Sequence, residues 1–160
     1  MQSATVSAKS AIEFDEPVRS LLRQKGSAVW SVSPEATVYE AIEQMSEKRI
    51  GALAVLMAGK LTGIVTERDY ARKVILKGRQ SRETKVREIM SSPVLFVTQD
   101  HTIDECMRLM TARRIRHLPV LEGENVVGML SIGDLVGWII NSYEHTIHHL
   151  QSYINGSYPG

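Results

Sequence analysis

Apolar positions along the chain follow two periods, one typical of helices and one typical of strands. The helical spacing i, i+3, i+4, i+7 occurs twice and predicts two amphipathic helices. Its members are Val38, Ala41, Ile42 and Met45, and then Ile103, Cys106, Met107 and Met110. Each predicted helix follows a threonine with a glutamate three residues later, which is the capping-box pattern of a helix start. These pairs are Thr37 with Glu40 and Thr102 with Glu105.

Short apolar runs behind each helix predict β-hairpins. The first pair of runs is Leu53–Met57 and Leu61–Val65, and the second is Leu118–Leu121 and Val126–Leu130. Glycine-containing turns separate the runs, as expected for hairpins. A strand before each helix (Val29–Val32 and Val94–Val97) and a second helix opening near Thr66 or Ser131 complete two β-α-β-β-α units.

The two units are copies of one another. A shift of 65 positions aligns Val32–Ile75 with Val97–Ile140 without a gap, and twelve of the 44 aligned positions are identical. Because a unit of about 60 residues is marginal alone, we expect the two to pack around a pseudo-two-fold axis in an α+β fold. The predicted organisation is a flexible arm (1–16), repeat 1 (17–84), repeat 2 (85–141), and a C-terminal helical extension and tail (142–160).

Composition narrows the class of protein. The 160 residues carry a net charge of +1, which disfavours general binding to nucleic acid or a membrane surface. A single cysteine, Cys106, excludes an intrachain disulfide framework and a zinc site made of cysteines. No apolar run approaches the roughly 18 residues needed to cross a bilayer. The N-terminus lacks the pattern of a secretory signal, so we expect a cytoplasmic protein.

The residues of both repeats resemble a known family. Repeat 2 contains RRIRHLPVLE and VVGMLSIGDL, and repeat 1 contains EKRIGALAVLMAGKLTGIVTERDYAR in the same places. These segments resemble the CBS domain, named after cystathionine β-synthase, and the tandem from Pro17 to Asn141 resembles a Bateman module. The resemblance implies adenosine-containing ligands (AMP, ADP, ATP, NAD or S-adenosylmethionine) in clefts between the copies. It also implies dimers that form a flat disc of four repeats, and regulation of a partner protein.

Two short segments at the start of the second helices are the candidate ribose and phosphate sites. In Thr66-Glu67-Arg68-Asp69 and in Ser131-Ile132-Gly133-Asp134, the carboxylate suits ribose hydroxyls and the helix start suits a phosphate. Ser/Thr-x-x-Asp is also an ordinary helix cap, so capping is the alternative. Arg116 and His117 add donors for phosphate, or are a solvated turn. The candidates are Thr66, Arg68, Asp69, Arg116, His117, Ser131, Ile132, Gly133 and Asp134.

The copies differ at these segments. Repeat 1 has Gly51-Ala52 where repeat 2 has Arg116-His117, and repeat 2 has Gly133 where repeat 1 has Arg68. In the family's arrangement the cations would meet at one cleft. We therefore hypothesise a phosphate-rich site at Thr66 and Asp69 and a site poorer in cations at Ser131 and Asp134.

An adenine ring would need an apolar slot. By family position, the slot would be built from Val29, Trp30, Ile64, Pro93, Val94, Ile115 and Met129. Trp30 has a ring that could stack on a base. Plain core packing is the alternative interpretation for each of these residues.

The C-terminal helix carries an apolar stripe that extends past repeat 2. Its members are Val136, Ile139, Ile140, Tyr143, Ile147, Leu150 and Ile154. We expect it to pack across a homodimer interface, with docking on its own repeat as the alternative. His145, His148 and His149 are interpreted as a polar face rather than a metal site. Cys106, on an apolar helix face, is interpreted as a core residue rather than a reactive thiol.

The expected function is regulatory. The chain contains no P-loop, no dinucleotide-binding glycine motif and no nucleophile elbow, so an enzyme is not expected. The resemblance implies a sensor that binds AMP, ADP, ATP or NAD and modulates an unidentified partner. The alternatives are a constitutive scaffold with vestigial clefts, and a small enzyme that uses Asp69, His117 or the histidines of the C-terminal helix.

Overall fold

The computed structural model describes residues 15–26 and 28–154, without the side chains of Thr146, Tyr153 and Ile154. Most of the predicted N-terminal arm (residues 1–14) and the last six residues therefore lie outside the described part. The elements of repeat 1 are α1 (Val18–Lys25), β1 (Ser31–Val32), α2 (Val38–Lys48), β2 (Ala52–Met57), β3 (Lys60–Thr66) and α3 (Glu67–Tyr70), which continues as a π-helix (Ala71–Ile75). Those of repeat 2 are a 3₁₀ turn (Val86–Glu88), β4 (Val97–Thr98), α4 (Ile103–Arg113), β5 (His117–Glu122), β6 (Asn125–Ser131) and α5 (Ile132–Ile154).

Each repeat contributes one three-stranded sheet. The strand orders are β1-β2-β3 and β4-β5-β6. The parallel pairs have the same register, because Val32 lies opposite Val55 and Val97 lies opposite Val120, each 65 residues further on. The predicted α+β fold with two β-α-β-β-α repeats is confirmed.

The first strands are shorter than predicted. β1 and β4 contain two residues each, not the four of the predicted runs. Leu95 and Phe96 belong to the predicted strand but precede β4, and both are exposed on the surface. An apolar run alone does not distinguish an edge strand from an exposed loop.

Helices α2 and α4 begin and end through the same caps. The side chain of Thr37 accepts a hydrogen bond from the Glu40 N–H, and Thr102 does the same for Glu105, both at 3.1 Å. At the other end, Arg49 and its counterpart Arg114 adopt the left-handed conformation. These caps satisfy N–H groups that a helix leaves free, so the sequence predicted both helix starts correctly.

The residues at the start of repeat 2 pack on repeat 1. The Val38 N–H donates to the Thr84 carbonyl (2.8 Å), and the Val86 N–H donates to the Ala36 carbonyl (2.8 Å). We call residues 84–89 the second lead-in segment. It covers the start of α2, so hydrogen bonds hold these residues against repeat 1.

The residues at the start of repeat 1 pack on repeat 2 in the same manner. The Ile103 N–H donates to the Glu16 carbonyl (2.9 Å), and the Val18 N–H donates to the His101 carbonyl (2.8 Å). Residues 16–22 are the first lead-in segment, and it covers the start of α4. Each repeat thus receives the lead-in segment of the other.

This exchange accounts for how the described residues group. They form a helical unit (residues 15–26, 99–116 and 130–154) and a sheet unit (residues 28–98 and 117–129). Each unit combines segments from both repeats. The core of the sheet unit is made of Val38, Ala41, Met45, Leu53, Val55, Val65, Val74, Val86 and Ile89.

Candidate functional site

Asp69 is bound tightly to Thr66 at the start of α3. Its Oδ2 accepts hydrogen bonds from the Thr66 N–H (3.0 Å) and hydroxyl (3.1 Å), while the Thr66 oxygen accepts one from the Asp69 N–H (3.1 Å). The Asp69 side chain is 13% exposed. The two residues therefore cap the helix, and the carboxylate still reaches the surface.

Lys73 also contacts Asp69. The alignment of the two repeats did not predict this contact. Lys73 Nζ lies 3.2 Å from Asp69 Oδ1 and donates to the Ile89 carbonyl at 2.8 Å. Both carboxylate oxygens of Asp69 are therefore engaged. The spacing of four residues between Asp69 and Lys73 is a signal that could have indicated the pair.

His117 of repeat 2 lies beside the same helix start. The Gly51 carbonyl accepts a hydrogen bond from the Glu67 N–H at 3.1 Å. A Cβ atom on Gly51 would stand 3.4 Å from His117 Cε1 and Nε2 and 3.7 Å from Glu67 Oε2. The imidazole therefore occupies the space that a side chain at Gly51 would take. The sheet unit thus brings His117 close to Gly51 and to Glu67, the residue that follows Thr66. The hypothesised phosphate-rich site stays a prediction.

Arg68 lies between Thr66 and Asp69 in the first turn of α3 and is half-buried. Together with Lys73 and His117, it gives this part of the sheet unit three side chains that are cationic or able to become so. Asp69 and Glu67 balance them with two carboxylates. Such a cluster can accept hydrogen bonds from hydroxyls and donate them to an anion.

The equivalent cluster in the helical unit is built on Asp134. Its Oδ2 accepts from the Ser131 N–H (2.8 Å) and from Lys25 Nζ (2.5 Å), and the Ser131 hydroxyl oxygen accepts from the Asp134 N–H (3.1 Å). Lys25, on α1, supplies a cation that the comparison of the repeats had not placed there. The expected difference in charge between the two sites is therefore smaller than the aligned residues suggested.

Arg116 and Ile132 meet through their backbones in the helical unit. The Ile132 N–H donates to the Arg116 carbonyl at 2.8 Å, as the Glu67 N–H does to Gly51 in repeat 1. The Arg116 side chain and Gly133 are exposed. A groove of about 290 Å³ lies between α1 and α5, lined by Leu21, Gln24, Lys25, Gly133, Asp134, Gly137, Trp138 and Asn141.

The residues of the predicted adenine slot do not all lie together. Ile64 is 9% exposed, and its backbone pairs with Ser91. Pro93 and Val94 line a groove of about 350 Å³ with residues 60–62, at the opposite end of β3 from Thr66. The structure therefore places these two residues away from the Thr66 cap.

Trp30 has one ring face occupied. Lys48 Nζ lies 4.2 Å from the ring centroid, a cation–π contact. Stacking on a base would be open to the other face alone, or would require Lys48 to move. Val29 and Met129 in the sheet unit and Ile115 in the helical unit are half-buried.

With this geometry described, comparison with known proteins identifies the family. The model of the CBS domain matches residues 18–75 and 86–141. The chain belongs to the CBS-domain family and carries two tandem copies. It is a protein of the regulatory, signal-transduction type.

Curated relatives agree with this assignment. A mitochondrial CBS domain-containing protein of Arabidopsis thaliana is 41% identical over 83% of this chain and 66% of its own length, so this chain spans slightly less than two thirds of it. A CBS domain-containing protein of Bacillus subtilis is 35% identical over 67% of this chain and 76% of its own length.

Solved structures share the fold. A Burkholderia ambifaria protein with CBS domains, assigned to signal transduction, is 48% identical with a TM-score of 0.76 over 78% of this chain and 94% of its own. A hexameric CBS-CP12 protein from bloom-forming cyanobacteria is 30% identical with a TM-score of 0.69 over 75% of this chain and 70% of its own.

The described residues contain neither a membrane-spanning helix nor a metal-binding cluster. No helix within residues 15–26 and 28–154 has the length and hydropathy to span a bilayer. In the same part of the chain, no three or more His, Cys, Asp or Glu side chains are grouped to hold a metal ion. The rings of His145 and His149 lie 6.3 Å apart on α5.

Proposed function

We propose that the protein is a homodimeric, cytoplasmic sensor that binds AMP, ADP, ATP or NAD at the Thr66 cap and modulates a partner protein. The observation that carries this proposal is the position of His117, from repeat 2, against Gly51 and Glu67 of repeat 1. Groups from both repeats meet there, which a helix cap alone does not require.

The cluster has the chemistry that a nucleotide needs. The Asp69 carboxylate would accept hydrogen bonds from the ribose hydroxyls. Arg68, Lys73 and His117 would donate to phosphate oxygens. Because Lys73 Nζ lies 3.2 Å from Asp69 Oδ1, the ribose would have to replace or share this ion pair.

Signalling would follow from differential binding. A ligand held by Asp69 of repeat 1 and His117 of repeat 2 favours the arrangement in which both reach it. It can shift the equilibrium between arrangements only by the difference in its affinity for them. A partner that contacts one arrangement better would then respond to the nucleotide concentration.

A constitutive scaffold is the second candidate, and one observation favours it. Asp69 and Asp134 are both engaged as caps, and each is also paired with a lysine. Carboxylates that are satisfied in this way give a ligand less to gain. The scaffold predicts that no nucleotide binds at either position.

The test is nucleotide titration of Asp69→Asn by calorimetry, with Asp134→Asn as the matched control. Asparagine keeps the size of the side chain and an oxygen for the cap, and removes the charge. We expect Asp69→Asn to weaken binding at least tenfold and Asp134→Asn to change it less than threefold. Equal losses, or a loss in Asp134→Asn alone, would overturn the assignment, and a wild type that binds nothing would favour the scaffold.

A further inference from the structure

The two oxygens of the Asp69 carboxylate differ in what they can still accept. Oδ2 already accepts hydrogen bonds from the Thr66 N–H at 3.0 Å and from the Thr66 hydroxyl at 3.1 Å. A carboxylate oxygen has about two lone-pair positions, so these two bonds use the capacity of Oδ2. A ribose hydroxyl that reaches this carboxylate would therefore donate to Oδ1.

Lys73 already occupies the position at Oδ1 where that hydroxyl would bind. Its Nζ lies 3.2 Å from Asp69 Oδ1 and donates to the Ile89 carbonyl at 2.8 Å. Ile89 is buried in the second lead-in segment, so this carbonyl is a fixed anchor for the ammonium group. Lys73 is thus a built-in counter-ion of Asp69, held from both sides.

This counter-ion opposes the binding of an uncharged ribose compound. A hydroxyl that takes the place of Lys73 at Oδ1 removes an attraction between opposite charges. The Asp69 side chain is 13% exposed, and such an attraction is stronger where water is largely excluded. A nucleoside offers the displaced ammonium no other negative group, so the exchange is unfavourable for it.

A phosphate group reverses this balance. An ammonium group has three donors, and Asp69 and Ile89 account for two of them. The Lys73 side chain is 44% exposed, so a ligand can reach it. A phosphate beside the ribose would pair with Lys73 while the ribose hydroxyl takes Oδ1, so the lysine has a negative partner before and after binding.

We infer that Lys73 makes the Thr66 cap selective for ribose ligands that carry phosphate, and excludes nucleosides. The inference rests on the proposed function and narrows its class of ligand. S-Adenosylmethionine carries a positive sulfonium where a nucleotide carries its phosphate, so the same lysine disfavours it. Lys73 is a specificity-determining residue, because it competes with the ribose and rewards the phosphate.

The experiment is calorimetric titration of wild type, Lys73→Met and Lys73→Arg with AMP and with adenosine. Methionine keeps most of the apolar side chain without the charge, and arginine keeps the charge. Wild type should bind AMP at least about 30-fold more tightly than adenosine, since a hydrogen bond to a charged group contributes about 10- to 100-fold. Lys73→Met should bind AMP about tenfold more weakly and adenosine about threefold more tightly, and Lys73→Arg should keep the wild-type preference.

The gain in adenosine binding is the decisive measurement. A lysine that only contacts phosphate, or only supports the fold, would not improve the binding of a nucleoside when it is removed. Lys77→Met is the matched control, because Lys77 is an exposed cation four residues further along the chain. It should change both affinities less than about twofold, since exposed charges are screened with distance.

The outcomes separate this inference from the proposed function. Wild type that binds AMP and adenosine equally, Lys73→Met without tighter adenosine binding, or Lys73→Arg without the preference would overturn the inference, while AMP binding still supports the sensor. If neither compound binds to any of these proteins, both proposals are overturned. If circular dichroism shows Lys73→Met unfolded, Lys73→Gln replaces it with the same expected result, because glutamine retains a donor for the Ile89 carbonyl.

Discussion

Two aspartates of this protein, Asp69 and Asp134, cap helices and are also candidates for ligand binding. Asp69 and Asp134 satisfy backbone N–H groups at the starts of α3 and α5, and each also holds a lysine. The same carboxylates are the ribose candidates. Capping explains why an aspartate occurs in both repeats, so its recurrence alone does not identify a ligand site.

Gly51 shows how a small residue lets a side chain from the other repeat approach. The His117 imidazole lies beside the position that a Cβ atom of Gly51 would take, next to Glu67. The aligned repeats revealed that the two copies differ at Gly51. His117 and Gly51 are 66 positions apart in the sequence, so only the packing of the chain brings them into contact.

Cys106 provides a prediction about pH. Burial, with a smaller contribution from the charge of Glu105, raises the pKa of its thiol from 9.0 to about 12. The folded state therefore favours the neutral thiol. Its contribution to stability is complete below pH 9 and is lost as the pH rises from about 9 towards about 12.

Urea unfolding between pH 8 and pH 11 tests this prediction, with Cys106→Ala as the control. Wild type should lose more stability than the variant over this range, and the native thiol should react with a disulfide reagent at pH 8 far more slowly than the unfolded chain. Parallel pH profiles for the two proteins would contradict the assignment.

At the scale of elements, capping boxes and lead-in segments define the helix starts. The capping boxes of α2 and α4 are local in sequence and were predicted. The lead-in segments form hydrogen bonds with residues more than 45 positions away in the sequence. The start of α2 bonds to the lead-in segment of repeat 2, and the start of α4 bonds to the lead-in segment of repeat 1. No periodicity in the sequence encodes that exchange.

Leu21→Ala and Ile89→Ala form a matched pair that tests the exchange. Both residues are buried, at 3% and 1% exposure, and occupy equivalent places in the two lead-in segments. Each substitution should cost about 2–5 kcal/mol by opening a cavity. By hydrogen exchange, Leu21→Ala should deprotect residues 99–105 first, and Ile89→Ala should deprotect residues 34–40 first. The reverse pattern would show that each segment supports its own repeat.

At the scale of the whole molecule, the two repeats do not fold as two separate halves. The helical and sheet units each contain segments of both repeats, so a ligand at the Thr66 cap would contact parts of both repeats within one unit. The repeat boundaries predicted at residues 84/85 and 141/142 stay a prediction. The helical unit and the sheet unit have different boundaries.

A sensor of this kind should be stabilised by its ligand. At a nucleotide concentration of about 100 times the dissociation constant, the stability should rise by about 2.7 kcal/mol. For a chain of this size, that corresponds to a melting temperature higher by roughly 5–10 °C. A thermal-shift panel of AMP, ADP, ATP and NAD measures this effect, and Asp69→Asn should reduce it to about half or less, because tenfold weaker binding leaves about 1.4 kcal/mol. A melting temperature unchanged across the whole panel supports the scaffold.

The sequence by itself determined the repeat, the α+β class, the helix starts and the stripe on α5. The repeat is visible as a shift of 65 positions within the sequence, and the other features depend on spacings between near neighbours, so all of them can be recognised without coordinates. The tertiary structure alone decided which lead-in segment covers which repeat, that Lys73 and Lys25 pair with the two aspartates, and that Pro93 lies far from Thr66. Those outcomes depend on contacts between distant residues, which the packing of the whole chain selects.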